Sequence, residues 1–218
     1  MLRYPCLVLD HDDTTVDSTR SVNYPQFCQA MAHFRPGFSM TEAEYFLYCF
    51  DPGFYEMCRQ VLHYTPEEMA EHLQMWKNYH KDHHPPFFPG MPELIRRQKA
   101  EGGLVCVVSH STEDVIRRAY EHAGVPQPDL IFGAEQPEER CKPNPWPMEE
   151  ILRRFHLQPH EVLMIDDMPQ GGRMAHAVGV AFACAGWYGM LPEIEARIRP
   201  MADYFFSDIP ALTEFLFP

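Results

Sequence analysis

Three carboxylates fall within four positions at Asp10-His11-Asp12-Asp13, directly after the apolar run Leu7-Val8-Leu9 and just ahead of Thr14-Thr15. Desolvating that much negative charge is costly unless something pairs with it. The compensator that suits oxygen ligands beside phosphate is a hard cation such as Mg²⁺. Asp10 and Asp12 flank one residue, so on an extended backbone they point the same way. That spacing suits one carboxylate as nucleophile and the other as acid/base, one transferring group away. Two plainer readings compete. Asp10-x-Asp12-x-Thr14 opens like a Ca²⁺ loop, but Thr15 stands where the Gly of such a loop belongs and Ser21 where its bidentate Glu belongs. The other is a polar strand-to-helix turn with Asp and Thr as caps, which this stretch alone does not exclude.

Further polar groups stand at the ends of other apolar runs. Ser109-His110-Ser111 follows Leu104–Val108, and Ser109 there suits hydrogen bonding to an anion beside the N–H groups of the next helix. Helix capping is the plain alternative for Ser109 and Ser111. Lys142 lies in Arg140-Cys141-Lys142-Pro143-Asn144-Pro145-Trp146-Pro147, where stiff backbone holds it. An ammonium fixed in this way can neutralise charge developing on a phosphoryl group. Asp166-Asp167 closes the run Val162–Ile165 and precedes Gly171-Gly172.

The elements that must position these groups follow from periodicity. The runs at 104–108, 130–132, 162–165 and 180–184 are nearly continuous in apolar residues, as parallel strands covered on both faces are. Helical stretches near 112–123, 147–155 and 171–178 separate them, so the expected fold is α/β, a Rossmann-like doubly wound parallel sheet. A strand near 204–206 and a helix near 210–216 complete it. Residues 17–87 read differently, with capping boxes at Thr41-x-x-Glu44 and Thr65-Pro66-Glu67-Glu68 and helices near 24–34, 41–49, 53–62 and 66–80. The expected domains are therefore a core of 1–16 and 88–218 and an inserted all-helical unit of 17–87. In such sheets ligands bind beyond the carboxyl ends of the strands, where the polar groups above stand.

Composition bounds the partners. The 218 residues suffice for one core with a smaller insertion, and 45% hydrophobic with 22% charged residues is a globular balance. A net charge of −13 repels nucleic acid and anionic membrane surfaces, so neither is an expected partner. An anionic small substrate then needs a metal ion and a few well-placed cations. The seven Cys are scattered with no Cys-x-x-Cys pair, against zinc fingers or a disulfide framework and in keeping with reduced thiols. No secretory or membrane-spanning segment is visible, and a cytoplasmic location is expected.

Taken together, these motifs resemble the haloacid dehalogenase-like hydrolase superfamily, subfamily I, in its phosphoglycolate phosphatase-like form. Asp10-His11-Asp12-Asp13-Thr14 resembles the first motif, Ser109 the second, Lys142-Pro143 the third and Asp166-Asp167 the fourth, with the helical insertion in the place of the family's C1 cap. The resemblance implies a Mg²⁺-dependent phosphatase for a small phosphorylated metabolite, working through an aspartyl-phosphate. Asp10 would be the nucleophile and Asp12 the acid/base. Thr14, Ser109, His110 and Lys142 would bind phosphate. The metal would be held by Asp10, the Asp12 backbone carbonyl and Asp167, with Asp166 as its indirect partner. Asp13 departs from the pattern, standing where the family has Gly; Asp tolerates unusual backbone there better than most residues. A phosphomutase of the same family and a catalytically weak phosphometabolite-binding protein remain the alternatives, and the sequence leaves monomer or homodimer open.

Other features read as structural. His80-x-x-His83-His84 has metal-like spacing but ends a helix before Pro85-Pro86, so a solvated hinge is expected. The aromatic stripe Tyr45, Phe46, Tyr48, Phe50, Phe54 and Tyr55 reads as helical-unit core. Lys77 and Lys81 read as exposed helix-end residues, and Trp146 and Trp187 as packing. Arg35, Arg59 and His110 are the polar candidates for substrate selection.

Overall fold

Six strands form one parallel sheet in the computed structural model, which describes residues 2–188 and 190–218. They are β1 (Cys6–Leu9), β2 (Leu104–Val108), β3 (Leu130–Phe132), β4 (Val162–Asp166), β5 (Ala181–Ala185) and β6 (Tyr204–Phe206). Their order is β3-β2-β1-β4-β5-β6, and each neighbouring pair is parallel. Both β1 and β4 are buried along their whole length, which explains their unbroken apolar character. Roughly 2 kcal/mol for each buried Leu or Val holds β1 at the sheet centre although it runs straight into charge.

The helices divide between two compact units, Met1–Asp17 with Pro86–Pro218, and Ser18–Pro85. The second unit carries α1 (Tyr24–Phe34), α2 (Glu42–Phe50), α3 (Phe54–Gln60) and α4 (Pro66–Tyr79). The first carries α5 (Met91–Ala100), α6 (Glu113–His122), α7 (Trp146–Phe155), α8 (Pro169–His176), α9 (Pro192–Ile198) and α10 (Ile209–Leu216). The α5 and α9 helices lie outside the sequence expectations. In α5 the buried apolar side chains Met91, Leu94 and Ile95 are outnumbered by polar neighbours, so packing rather than pattern defines it.

In the helical unit, Phe27, Met31, Tyr45, Met57, Leu62 and Tyr64 belong to one buried cluster, against which Tyr48 and Phe54 pack. Both capping boxes form, at Thr41–Glu44 and Thr65–Glu68. Each cap contributes on the order of 1 kcal/mol. Tyr55 departs from the aromatic core and is exposed. Arg35 is spent on structure: its guanidinium donates to both Glu68 oxygens at 2.6 and 2.8 Å and to the Leu62 carbonyl at 3.0 Å. Arg59 pairs with Glu56 on the surface.

The hinge expectation is corrected at His80, which is buried rather than solvated. Its ring lies 4.0 Å from that of Trp76, and its Nδ1 donates to the Trp76 carbonyl at 3.0 Å. That carbonyl also accepts the His80 backbone N–H at 3.1 Å, so the imidazole folded back onto the helix adds a second donor at the helix end. His83 does the same on the surface, stacked on Tyr79 and donating to its carbonyl at 2.9 Å.

Candidate active site

Chain order reverses across the neighbouring strands β1 and β4, the position where open α/β sheets leave a crevice beyond their carboxyl ends. Leu9 is in register with Ile165, so Asp10 emerges beside Asp166 and donates its backbone N–H to the Ile165 carbonyl at 2.9 Å. Lys142 enters from the loop before α7. Its Nζ donates to Asp10 Oδ1 at 2.6 Å and to Asp166 Oδ2 at 2.7 Å, with all three side chains buried. Burial disfavours the ammonium, but the two carboxylates outweigh it and hold Lys142 charged, above its ordinary range. For Asp10 the balance runs the other way. Burial raises it, Lys142 lowers it, and Asp166 and Asp12 raise it again, to about 6.

Asp167 adds a further carboxylate. Burial, then Asp166, Asp10 and Asp13, push it well above the usual carboxylate range. Its Oδ1 accepts from the Thr14 hydroxyl at 3.0 Å, whereas its buried Oδ2 has no hydrogen-bond partner. Asp166 is more fully engaged, with Oδ2 on Lys142 and Oδ1 accepting the Met168 N–H at 2.8 Å. One oxygen each of Asp10, Asp166 and Asp167 lie within 4.8 Å of one another. Three buried carboxylates facing one ammonium, one of them with an orphaned oxygen, are a donor set that fits a hard divalent cation. The close approach of α8 depends on Gly171, because a Cβ there would overlap the Asp166 carboxylate.

Asp12 has separate partners, and the chain turns directly after it. Asp13 is left-handed at φ 54° and donates its N–H to the Val16 carbonyl at 2.8 Å, while Thr15 and Val16 donate back to His11. The chain therefore turns at once, a conformation open to Gly and tolerated by Asp. Asp12 Oδ2 accepts from Ser111 Oγ at 2.6 Å and from Ser109 Oγ at 3.4 Å, at the end of β2. Ser109 does not cap α6, whose N-cap position is Thr112. His110 is exposed and donates its Nε2–H to the Lys142 carbonyl at 2.9 Å, which braces the Lys142 loop.

Three contributors escaped the sequence reading. Thr15 Oγ donates to the Asp10 carbonyl at 2.6 Å, and Ser111 holds Asp12. Trp187, expected as packing, donates its indole N–H to the Thr14 carbonyl at 3.0 Å. Its place just past the end of β5 was the available signal, since the other site residues also follow strands. Trp146 does pack, against Phe132 and the Arg140 guanidinium. Among the described residues no helix is long and apolar enough to cross a membrane.

Comparisons with known proteins bear on the family and the fold. A family model described as haloacid dehalogenase-like hydrolase matches residues 7–185. A protein of Caldanaerobacter subterraneus subsp. tengcongensis that carries a pyrophosphatase name, PpaX, is 25% identical over 141 residues, 63% of this chain and 63% of that protein. The chain thus matches less than two thirds of that relative's length. A structure described as a predicted phosphoglycolate phosphatase from Haemophilus somnus superposes with a TM-score of 0.77 over 99% of both chains at 18% identity. A hydrolase structure from Deinococcus radiodurans with bound phosphate and sodium gives a TM-score of 0.75 at 16% identity, again over 99% of both chains. At such identities the structures bear on fold alone.

Proposed function

The chain belongs to the haloacid dehalogenase-like hydrolases, and we propose that it is a Mg²⁺-dependent phosphatase for a small phosphorylated metabolite. The observation that carries this reading is the arrangement around Lys142, whose ammonium joins Asp10 to Asp166 beside the unpartnered Asp167 Oδ2. The phosphate and sodium bound by the Deinococcus neighbour are an oxyanion and cation of the kind such a site would take. The helical unit at Ser18–Pro85 has the sequence position of a C1 cap, and we assign substrate selection to it. A soluble cytoplasmic enzyme with no nucleic-acid or membrane partner fits the net charge of −13.

Asp10 attacks phosphorus as the nucleophile and becomes an aspartyl-phosphate. The bond to the leaving oxygen breaks as Asp12 gives that oxygen a proton, and Asp12 then takes a proton from the water that hydrolyses the intermediate. Lys142 neutralises charge on the transferring group and, with Ser109, grips its oxygens, while Thr14 supports the first loop. His110 acts on phosphate through Lys142, whose carbonyl it grips. Mg²⁺, when bound, would supply charge neutralisation at the phosphoryl oxygens, held by Asp10, Asp167 and the Asp12 backbone carbonyl. Asp166 supports that set from the Lys142 side. This division suits phosphoryl transfer, where positioning and electrostatics supply most of the rate.

The test is hydrolysis of an aryl phosphate by the purified chain. Turnover should require Mg²⁺, stop with a chelator, and fall by about a thousandfold or more in Asp10→Asn. Metal-independent turnover, or an active Asp10→Asn variant, would overturn the reading.

A further inference from the structure

Ser111 is buried, 3% exposed, and its hydroxyl donates to Asp12 Oδ2 at 2.6 Å. The same oxygen lies 3.4 Å from Ser109 Oγ, which in turn accepts the Ser111 backbone N–H at 3.1 Å. Ser111 caps nothing, since α6 starts at Glu113 behind Thr112. Its hydroxyl is therefore committed to a carboxylate on another loop, 99 residues away in sequence. At 2.6 Å it is at the short end for a hydrogen bond between two oxygens, so it ties the Asp12 carboxyl closely to Ser111.

Resting on the phosphatase reading, we propose that Ser111 is the positioning residue of the acid/base Asp12. Ser111 holds the Asp12 carboxyl by its Oδ2. The Asp12 proton passes to the leaving oxygen as the phosphorus–oxygen bond breaks and the Asp10–phosphorus bond forms. Ser111 keeps its own proton throughout. The hydrogen bond also restrains rotation of the carboxylate, and small misplacements of a catalytic group are costly. The demand for protonation rises with the basicity of the leaving group: a nitrophenolate departs almost unaided, an alkoxide does not. Ser111 thereby sets how well the enzyme handles alkyl phosphates, the class to which most phosphorylated metabolites belong.

The experiment measures kcat/KM, which reports the step that forms the aspartyl-phosphate, over a series of aryl phosphates and one alkyl phosphate. Ser111→Ala should lose about tenfold or more on the alkyl ester and less than about threefold on nitrophenyl phosphate, steepening the dependence on leaving-group basicity. Ser111→Thr, which keeps the hydroxyl, should restore the wild-type slope. Should the Ala variant melt below the assay temperature, Ser111→Cys, a far weaker donor, is read by the same slope. An unchanged slope in the variant, or a Thr variant no better than Ala, overturns the proposal while the phosphatase reading stands. A wild-type chain inactive on every ester overturns both.

Discussion

The Thr14 hydroxyl donates to the Asp167 carboxylate and accepts the Asp167 backbone N–H, each at 3.0 Å, across 153 residues of sequence. One hydroxyl thus occupies Oδ1 and fixes the carboxylate whose buried Oδ2 has no hydrogen-bond partner. Thr14→Val keeps the shape and removes both bonds. It should weaken Mg²⁺ or Mn²⁺ binding by about 10–100-fold, the usual effect of losing a group that orients a ligand. Titration calorimetry reads this directly, and an unaltered affinity would remove the orienting role.

Metal should also stabilise the fold. The cluster of Asp10, Asp166 and Asp167 resists ionisation because each carboxylate is buried among the others. A cation bound only to the folded state adds about 2.7 kcal/mol at a hundredfold excess over its Kd. The melting temperature should rise with Mg²⁺ in the wild type and respond little in Asp167→Asn. A flat response in the wild type would count against a metal centre.

Lys142→Met leaves Asp10 and Asp166 buried without their cation. Breaking one side of such a buried pair costs about 3–5 kcal/mol. Urea denaturation without metal should register that loss, and adding Asp166→Asn to the variant should recover part of it. Equal stability of wild type and Lys142→Met would mean the ammonium does little for the fold.

His72 ties stability to pH within the helical unit. Its Nε2–H donates to Gln26 Oε1 and its Nδ1 accepts from Tyr64 Oη, both at 3.1 Å, and burial lowers it from 6.5 to about 4. Between those values the unfolded chain binds more protons than the folded one. Stability is therefore fully present above about pH 6.5 and falls as the pH drops toward 4, by roughly 3 kcal/mol. Melts across this range should lose much of their slope in His72→Gln; an unchanged slope would assign it to other groups.

Much of this architecture was legible in local patterns. The unbroken apolar runs of β1 and β4 are the mark of strands covered on both faces, and both are wholly buried. The two capping boxes announced α2 and α4 because a cap is a contact over three residues. The α5 helix was not legible, since its few apolar residues acquire meaning only against the sheet. Arg35 was equally opaque: nothing near it in sequence distinguishes a substrate-binding guanidinium from one gripping Glu68, 33 residues on.

The sequence by itself determined that acidic groups would gather at strand ends with a hydroxyl and a lysine, because strand burial and chain reversal are written in short stretches of residue types. Only the tertiary structure decided how the carboxylates divide: Asp10 and Asp166 on Lys142, Asp12 on Ser111, and Asp167 on Thr14 with one oxygen left over. Those pairings join loops 24 to 153 residues apart. They rest on strand register and on the left-handed turn at Asp13, which set distances of a few ångströms that spacing along the chain does not encode.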